Sequence, residues 1–149
     1  HAGGALEMQE FMIAPVKAKS FKEATRMVAE TYHELKKIIA TKYSKSATNV
    51  GDEGGFAPDI DTAEKALSLI TSAIEKSGYG SKMRIAMDPA SSEFFHDGTY
   101  LSKRLSKERL SAYYAKLAQK YNIISRPTIK CLCFTYLSLY TTFTTTFYD

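Results

Sequence analysis

Between residues 20 and 43 the apolar positions recur at three- and four-residue steps: Phe21, Ala24, Val28, Tyr32, Leu35 and Ile39 share one face. That period predicts an amphipathic helix over about 20–43, with Ser20 able to cap its start. A second stripe, formed by Ala63, Ala66, Leu67, Ile70, Ala73 and Ile74, predicts a helix over about 61–76. Asp61 and Glu64 have capping-box spacing at its start, and Gly78 can end it. A third helix is expected from about Ser106 to Tyr121, with Leu110, Tyr113, Tyr114, Leu117 and Tyr121 inward. The apolar runs between these helices are too short to be helices themselves. "ALEMQEFMIAPV" (5–16) and "KMRIAMD" (82–88) read as buried strands, and "NIIS" (122–125) as the start of another. Alternating strands and helices predict an α/β layout with parallel strands. In such layouts, acids at the carboxyl ends of strands and in the loops that follow lie on the ligand face. Asp88 is such an acid.

The loop between the first two helices, "NVGDEGGFAP" (49–58), sets Asp52 and Glu53 between glycines. A surface turn accepts this composition because Gly takes positive φ cheaply and Asp bonds its own backbone. A ligand-facing loop would use the same glycines to bring backbone close to a ligand, and both readings fit. A phosphate loop does not fit, because two carboxylates would repel phosphate and no Lys follows. "DIDTAEKALSLI" fails as a calcium loop, since Ala63 and Glu64 stand where an oxygen ligand and a Gly are needed. Glu10 is harder to dismiss, because a carboxylate in an apolar strand is costly unless it has a partner.

Composition narrows the class. The 149 residues are 44% hydrophobic and 24% charged, as expected for a globular domain. The net charge of +4 comes from Lys and Arg interleaved with acids along helices such as "HELKK" and "SKERL". These read as solvated faces, so no nucleic-acid partner is expected. Cys131 and Cys133 are one residue apart and make no disulfide framework, which suits a reducing, cytoplasmic setting. No signal peptide is visible in "HAGGALEMQEF", and a start at His1 is expected from processing or from a longer parent. Residues 128–149 differ in kind, with seven Thr and six aromatics but one Lys and one Asp. They have neither helix period nor turn punctuation and are too interrupted to span a membrane. We expect residues 126–149 to be an unrelated low-complexity tail, read out of frame or through an intron. The alternative is a genuine edge strand or partner-binding tail.

Three stretches, in this order, carry a resemblance: "HAGGALEMQEFMIAP", "NVGDEGGFAP" and "IAMDPASSEFF". From His1 to about Ser125 the chain resembles enolase, the phosphopyruvate hydratase family of glycolysis. The resemblance implies that residues 1–125 are the first part of a C-terminal (β/α)8 TIM-like barrel, incomplete here. It implies a lyase that dehydrates 2-phospho-D-glycerate to phosphoenolpyruvate with Mg2+, and a homodimer in the full-length family. As is general for the enolase superfamily, a basic side chain takes the proton beside the carboxylate while metal cations offset the charge of the intermediate. Residue by residue, Glu53 matches the proton donor to the leaving hydroxyl, and Glu10 the acid beside it that contacts substrate. His1 matches the histidine of a loop that closes over the substrate, and Asp88 the first of three metal carboxylates. Asp52 receives no such role.

The chain also departs from the family. After "NIIS" the family continues with an acidic "EDP" segment bearing the second metal ligand, where this sequence has "RPTIKCLCF". The third ligand, the base Lys, the substrate-binding His and the N-terminal domain have no counterpart. The stretch between Gly98 and Ser106 is shorter than usual. A closed barrel takes roughly 250 residues, so about half is present. The expectation is an enolase by lineage that is inactive as this polypeptide alone. The alternative is a non-enzymatic, pseudogene-like fragment that acts, if at all, as a binding segment.

Overall fold

The computed structural model describes residues 6, 8–51, 54–91, 94–100 and 104–125. Among these residues, four strands and three α-helices follow in the order β1 (Glu10–Ala14), α1 (Phe21–Lys42), α2 (Ala63–Lys76), β2 (Arg84–Asp88), β3 (Phe95–His96), β4 (Thr99–Tyr100) and α3 (Lys107–Tyr121). A short 3-10 turn, Ser46–Thr48, leads out of α1. The expected tail at 126–149 lies outside the described residues.

Local chemistry explains most boundaries. The Ser20 hydroxyl accepts the Glu23 N–H at 3.1 Å, and the Glu23 carboxylate accepts from the Lys19 N–H at 2.8 Å, so α1 starts where its cap predicts. At α2 the expected capping box does not form. Thr62 occupies the cap without a side-chain bond, and Asp61 instead pairs with Lys65 at 2.7 Å. The Glu64 carboxylate is taken by the Tyr113 hydroxyl of α3 at 2.9 Å. The end of α2 is as expected: the Gly78 N–H reaches the Glu75 carbonyl and the Tyr79 N–H reaches Ile74. The Ser106 hydroxyl caps α3 through the Arg109 N–H at 3.4 Å, and Asn122 ends that helix in a left-handed conformation, φ 53°.

The strands correct the parallel expectation. β1 and β2 pair antiparallel, with Glu10 opposite Asp88, Met12 opposite Ala86 and Ala14 opposite Arg84. Two helices lie between these strands, and they pack in opposite directions. Thr31, midway along α1, meets Ser77 just past α2 at 3.0 Å between hydroxyls, while Tyr43 at the end of α1 lies near Lys65 at the start of α2. One helix would return the chain parallel; a second, antiparallel helix reverses it again. Between β2 and residue 123 there is one long helix, α3, and there the expectation holds. Ile123 bridges Ile85 in parallel, and the Ile124 N–H donates to the Ile85 carbonyl at 2.9 Å. β3 and β4 form a hairpin ahead of α3. Asp97 and Gly98 both have positive φ, 49° and 78°, the type of two-residue turn that "DG" favours.

The core lies between the sheet and its helices. Ile85 and Met87 of β2 pack with Met27 and Val28 of α1, Leu67 of α2 and Leu110 of α3, all buried. Each such large side chain contributes about 1.5–3 kcal/mol by leaving water. The α2 stripe is buried at all six expected positions. The α1 stripe needs correction. Phe21, the first helical residue, is 68% exposed, while Met27 and Thr31 are buried in its stead. The Thr31 hydroxyl is satisfied there by Ser77 and by the Met83 sulfur at 3.3 Å.

Candidate active site

Successive side chains along a strand alternate between faces, so directly opposed residues point the same way. Glu10, Met12 and Ala14 of β1 therefore share a face with Asp88, Ala86 and Arg84 of β2, opposite the face that carries Ile85 and Met87 into the core. Because the strands run antiparallel, the first residue of β1 and the last of β2 meet at one end of the sheet. Glu10 and Asp88 are thus cross-strand neighbours, a separation of roughly 4.5–5.5 Å between Cβ atoms. Like charges set directly opposite each other destabilise a sheet. A proton or a cation between them would offset that cost.

Four neighbours shape the Asp88 end. The Asp88 carboxylate accepts the Ala90 N–H at 3.1 Å, and Ala90 turns the chain away with φ 45°. The Ser125 hydroxyl accepts the Met87 N–H at 2.8 Å and donates to the Met87 carbonyl at 3.0 Å, so it holds the last turn of β2 from the neighbouring segment. Behind the strand, buried Ser91 faces the Tyr114 hydroxyl at 3.5 Å. Burial pushes the Tyr114 phenol up to about 12; the Ser91 contact opposes this and the Asp88 charge adds to it. Tyr114 therefore remains a neutral phenol near Asp88. Neither Ser125 nor Tyr114 carried a sequence signal for this position: one ended an apolar run and the other read as core.

Glu53 and His1 lie outside the described residues, but the frame around position 53 is defined. The Gly51 N–H donates to the Gly55 carbonyl and the Gly54 N–H to the Gly51 carbonyl, both at 2.9 Å, and Val50 bridges Phe56. Gly54 sits at φ 74°, where a side chain would be strained. The loop is tied to α1 by the Tyr32 hydroxyl, which donates to the Gly54 carbonyl at 2.9 Å, and by Tyr32 stacking on Phe56, 4.4 Å between ring centroids.

Asp88 offers the hard oxygen that suits Mg2+, which takes near-octahedral oxygen ligands and commonly only one or two carboxylates. Among the described residues, however, His, Cys, Asp and Glu form no cluster of three that could hold a metal. Asp88 can supply one ligand of such a site and not the whole of it.

Residues 1–129 match the family model of the enolase C-terminal TIM barrel domain. The chain belongs to the enolase family. It is 50% identical over 127 residues to the enolase of Methanocaldococcus jannaschii; the match covers 84% of this chain and 30% of that protein. The chain thus spans under a third of the length of this curated relative. The resemblance carried by "QEFMIAP", "GDEGGFAP" and "IAMD" is accordingly one of family, and the match runs four residues past Ser125. The observed fold is mixed α/β, with no closed barrel among the described residues. Nor, among those residues, is any helix long and apolar enough to cross a membrane.

Proposed function

We propose that this chain is the opening part of an enolase barrel, and that the complete protein dehydrates 2-phospho-D-glycerate to phosphoenolpyruvate as a cytoplasmic homodimer. The observation that carries the proposal is the pairing of Glu10 with Asp88 at one end of the sheet, in a chain of this family.

In this reading Glu53, in its protonated form, gives its proton to the departing hydroxyl, which leaves as water. Glu10 contacts the substrate beside it, and His1 belongs to a loop that closes over the substrate. Asp88 gives one carboxylate oxygen to Mg2+. That cation, when bound, would supply electrostatic stabilisation of the negative charge that builds on the substrate. The base that removes the carbon-bound proton is assigned to a Lys outside residues 1–149. The isolated 1–149 polypeptide, with one metal carboxylate and no such Lys, is therefore proposed to be inactive alone.

The test is a complete enolase, such as the M. jannaschii relative, whose corresponding segment is replaced by residues 1–125. Glu53→Gln in that chimera is expected to lower turnover by about 10²–10⁴, the usual worth of a positioned acid. Asp88→Asn is expected to raise the Mg2+ concentration needed for half-maximal rate. Parental turnover from the Glu53→Gln chimera would remove the donor role.

A further inference from the structure

We infer that Tyr32 is a positioning residue of the dehydration step, whose phenol and ring hold Gly54 and Phe56, just past the proposed donor in the chain. The inference rests on the proposed role of Glu53 as proton donor.

The described residues on either side of positions 52 and 53 hold one another, which does not fix their location. The Gly51–Gly55 and Gly51–Gly54 bonds and the Val50–Phe56 bridge are all internal to the loop. They would survive if the whole loop swung on its neck. Among the described residues, Tyr32 ties it to the body of the domain through the bond to the Gly54 carbonyl and the stacking on Phe56. Gly54 follows Glu53 directly, so the carbonyl that Tyr32 holds belongs to the next residue along the chain.

Tyr32 suits this work. It lies midway along the 22-residue α1, beside buried Val28 and Thr31, so its backbone is anchored in the core. It is half-buried, and burial raises its pKa, so the phenol stays protonated and remains a donor at neutral pH. An aromatic ring has two side-chain torsions to restrain and loses little entropy in holding its place. The consequence for catalysis follows from geometry. A misplacement of about 1 Å in a reacting group can cost roughly 10²-fold in rate.

The experiment uses the complete chimeric enolase and the variant Tyr32→Phe, which keeps the ring stacked and removes only the hydroxyl. The expected result is a fall in kcat of about 5- to 100-fold with KM within about twofold. Amide hydrogen exchange at Gly54, Gly55 and Phe56 should quicken by about tenfold, the worth of one net hydrogen bond, while exchange in the α1 and α2 cores stays unchanged. Tyr32→Leu, which also loses the stack, should lower kcat further. An unchanged kcat in Tyr32→Phe overturns the inference, whether KM rises or the thermal midpoint falls, because either would mark a substrate contact or a purely structural role. Glu53→Gln serves as the control. If it is inactive and Tyr32→Phe runs at the parental rate, only the Tyr32 inference fails. If Glu53→Gln itself runs at the parental rate, the donor reading fails and the inference with it.

Discussion

At the scale of single residues, Glu10 and Asp88 stand out in the sequence as candidates because acids in or at the end of apolar strands need a reason. Their pairing was not legible, since it depends on strand direction. Tyr32, Tyr114 and Ser125 were hidden for a related cause: a tyrosine on an apolar helical face carries the same pattern whether its hydroxyl is idle or occupied. The buried phenols also set a pH limit. Burial raises the Tyr114 pKa to about 12 from an ordinary value of 10, and burial together with the Glu64 hydrogen bond raises that of Tyr113 further. Above pH 10 the unfolded chain releases these protons while the folded chain retains them. Stability present below pH 10 should therefore be lost progressively as pH rises through 12. Following unfolding of the chimera by circular dichroism across this range would show it, and Tyr114→Phe and Tyr113→Phe should each flatten the slope.

At the scale of elements, periodicity located all three helices and both long strands, because a period of 3.6 or a short apolar run reflects which side faces the core. It carries no direction, so the antiparallel turn of β1 against β2 followed only from counting two helices between them. Periodicity was weakest at helix ends. Phe21 fits the α1 stripe arithmetically but stands in the first turn, beyond the packed interface, whereas Thr31 is buried because Ser77 and Met83 receive its hydroxyl. These positions should differ sharply in energetic weight. Met27→Ala is expected to cost about 2–5 kcal/mol through lost contacts and a cavity, and Phe21→Ala under about 1 kcal/mol. Denaturant midpoints of the two chimeric variants would measure the contrast. Comparable losses would contradict the assignment of the α1 core face.

At the scale of the whole molecule, the parts assemble around one idea: a sheet end carrying two facing acids, a glycine loop tied to a helix, and an apolar opposite face that seats three helices. A barrel closes its sheet and leaves no edge, and the described strands here do not close. The family explains why the segment has this form, and the sequence motifs made the family legible where periodicity alone could not. In the proposed reading, residues 1–125 are a segment of an enolase whose activity needs the remainder of a barrel. The most direct test is the rate of phosphoenolpyruvate formation from 2-phosphoglycerate at saturating Mg2+, measured in parallel for the isolated 1–149 chain and for the chimera. The account predicts no turnover above background from the isolated chain and turnover within about tenfold of the parent enzyme from a chimera that keeps the site geometry, given that a roughly 1 Å shift there would cost about 10²-fold. A folded chimera with no activity, or an isolated chain that turns over substrate, would contradict it.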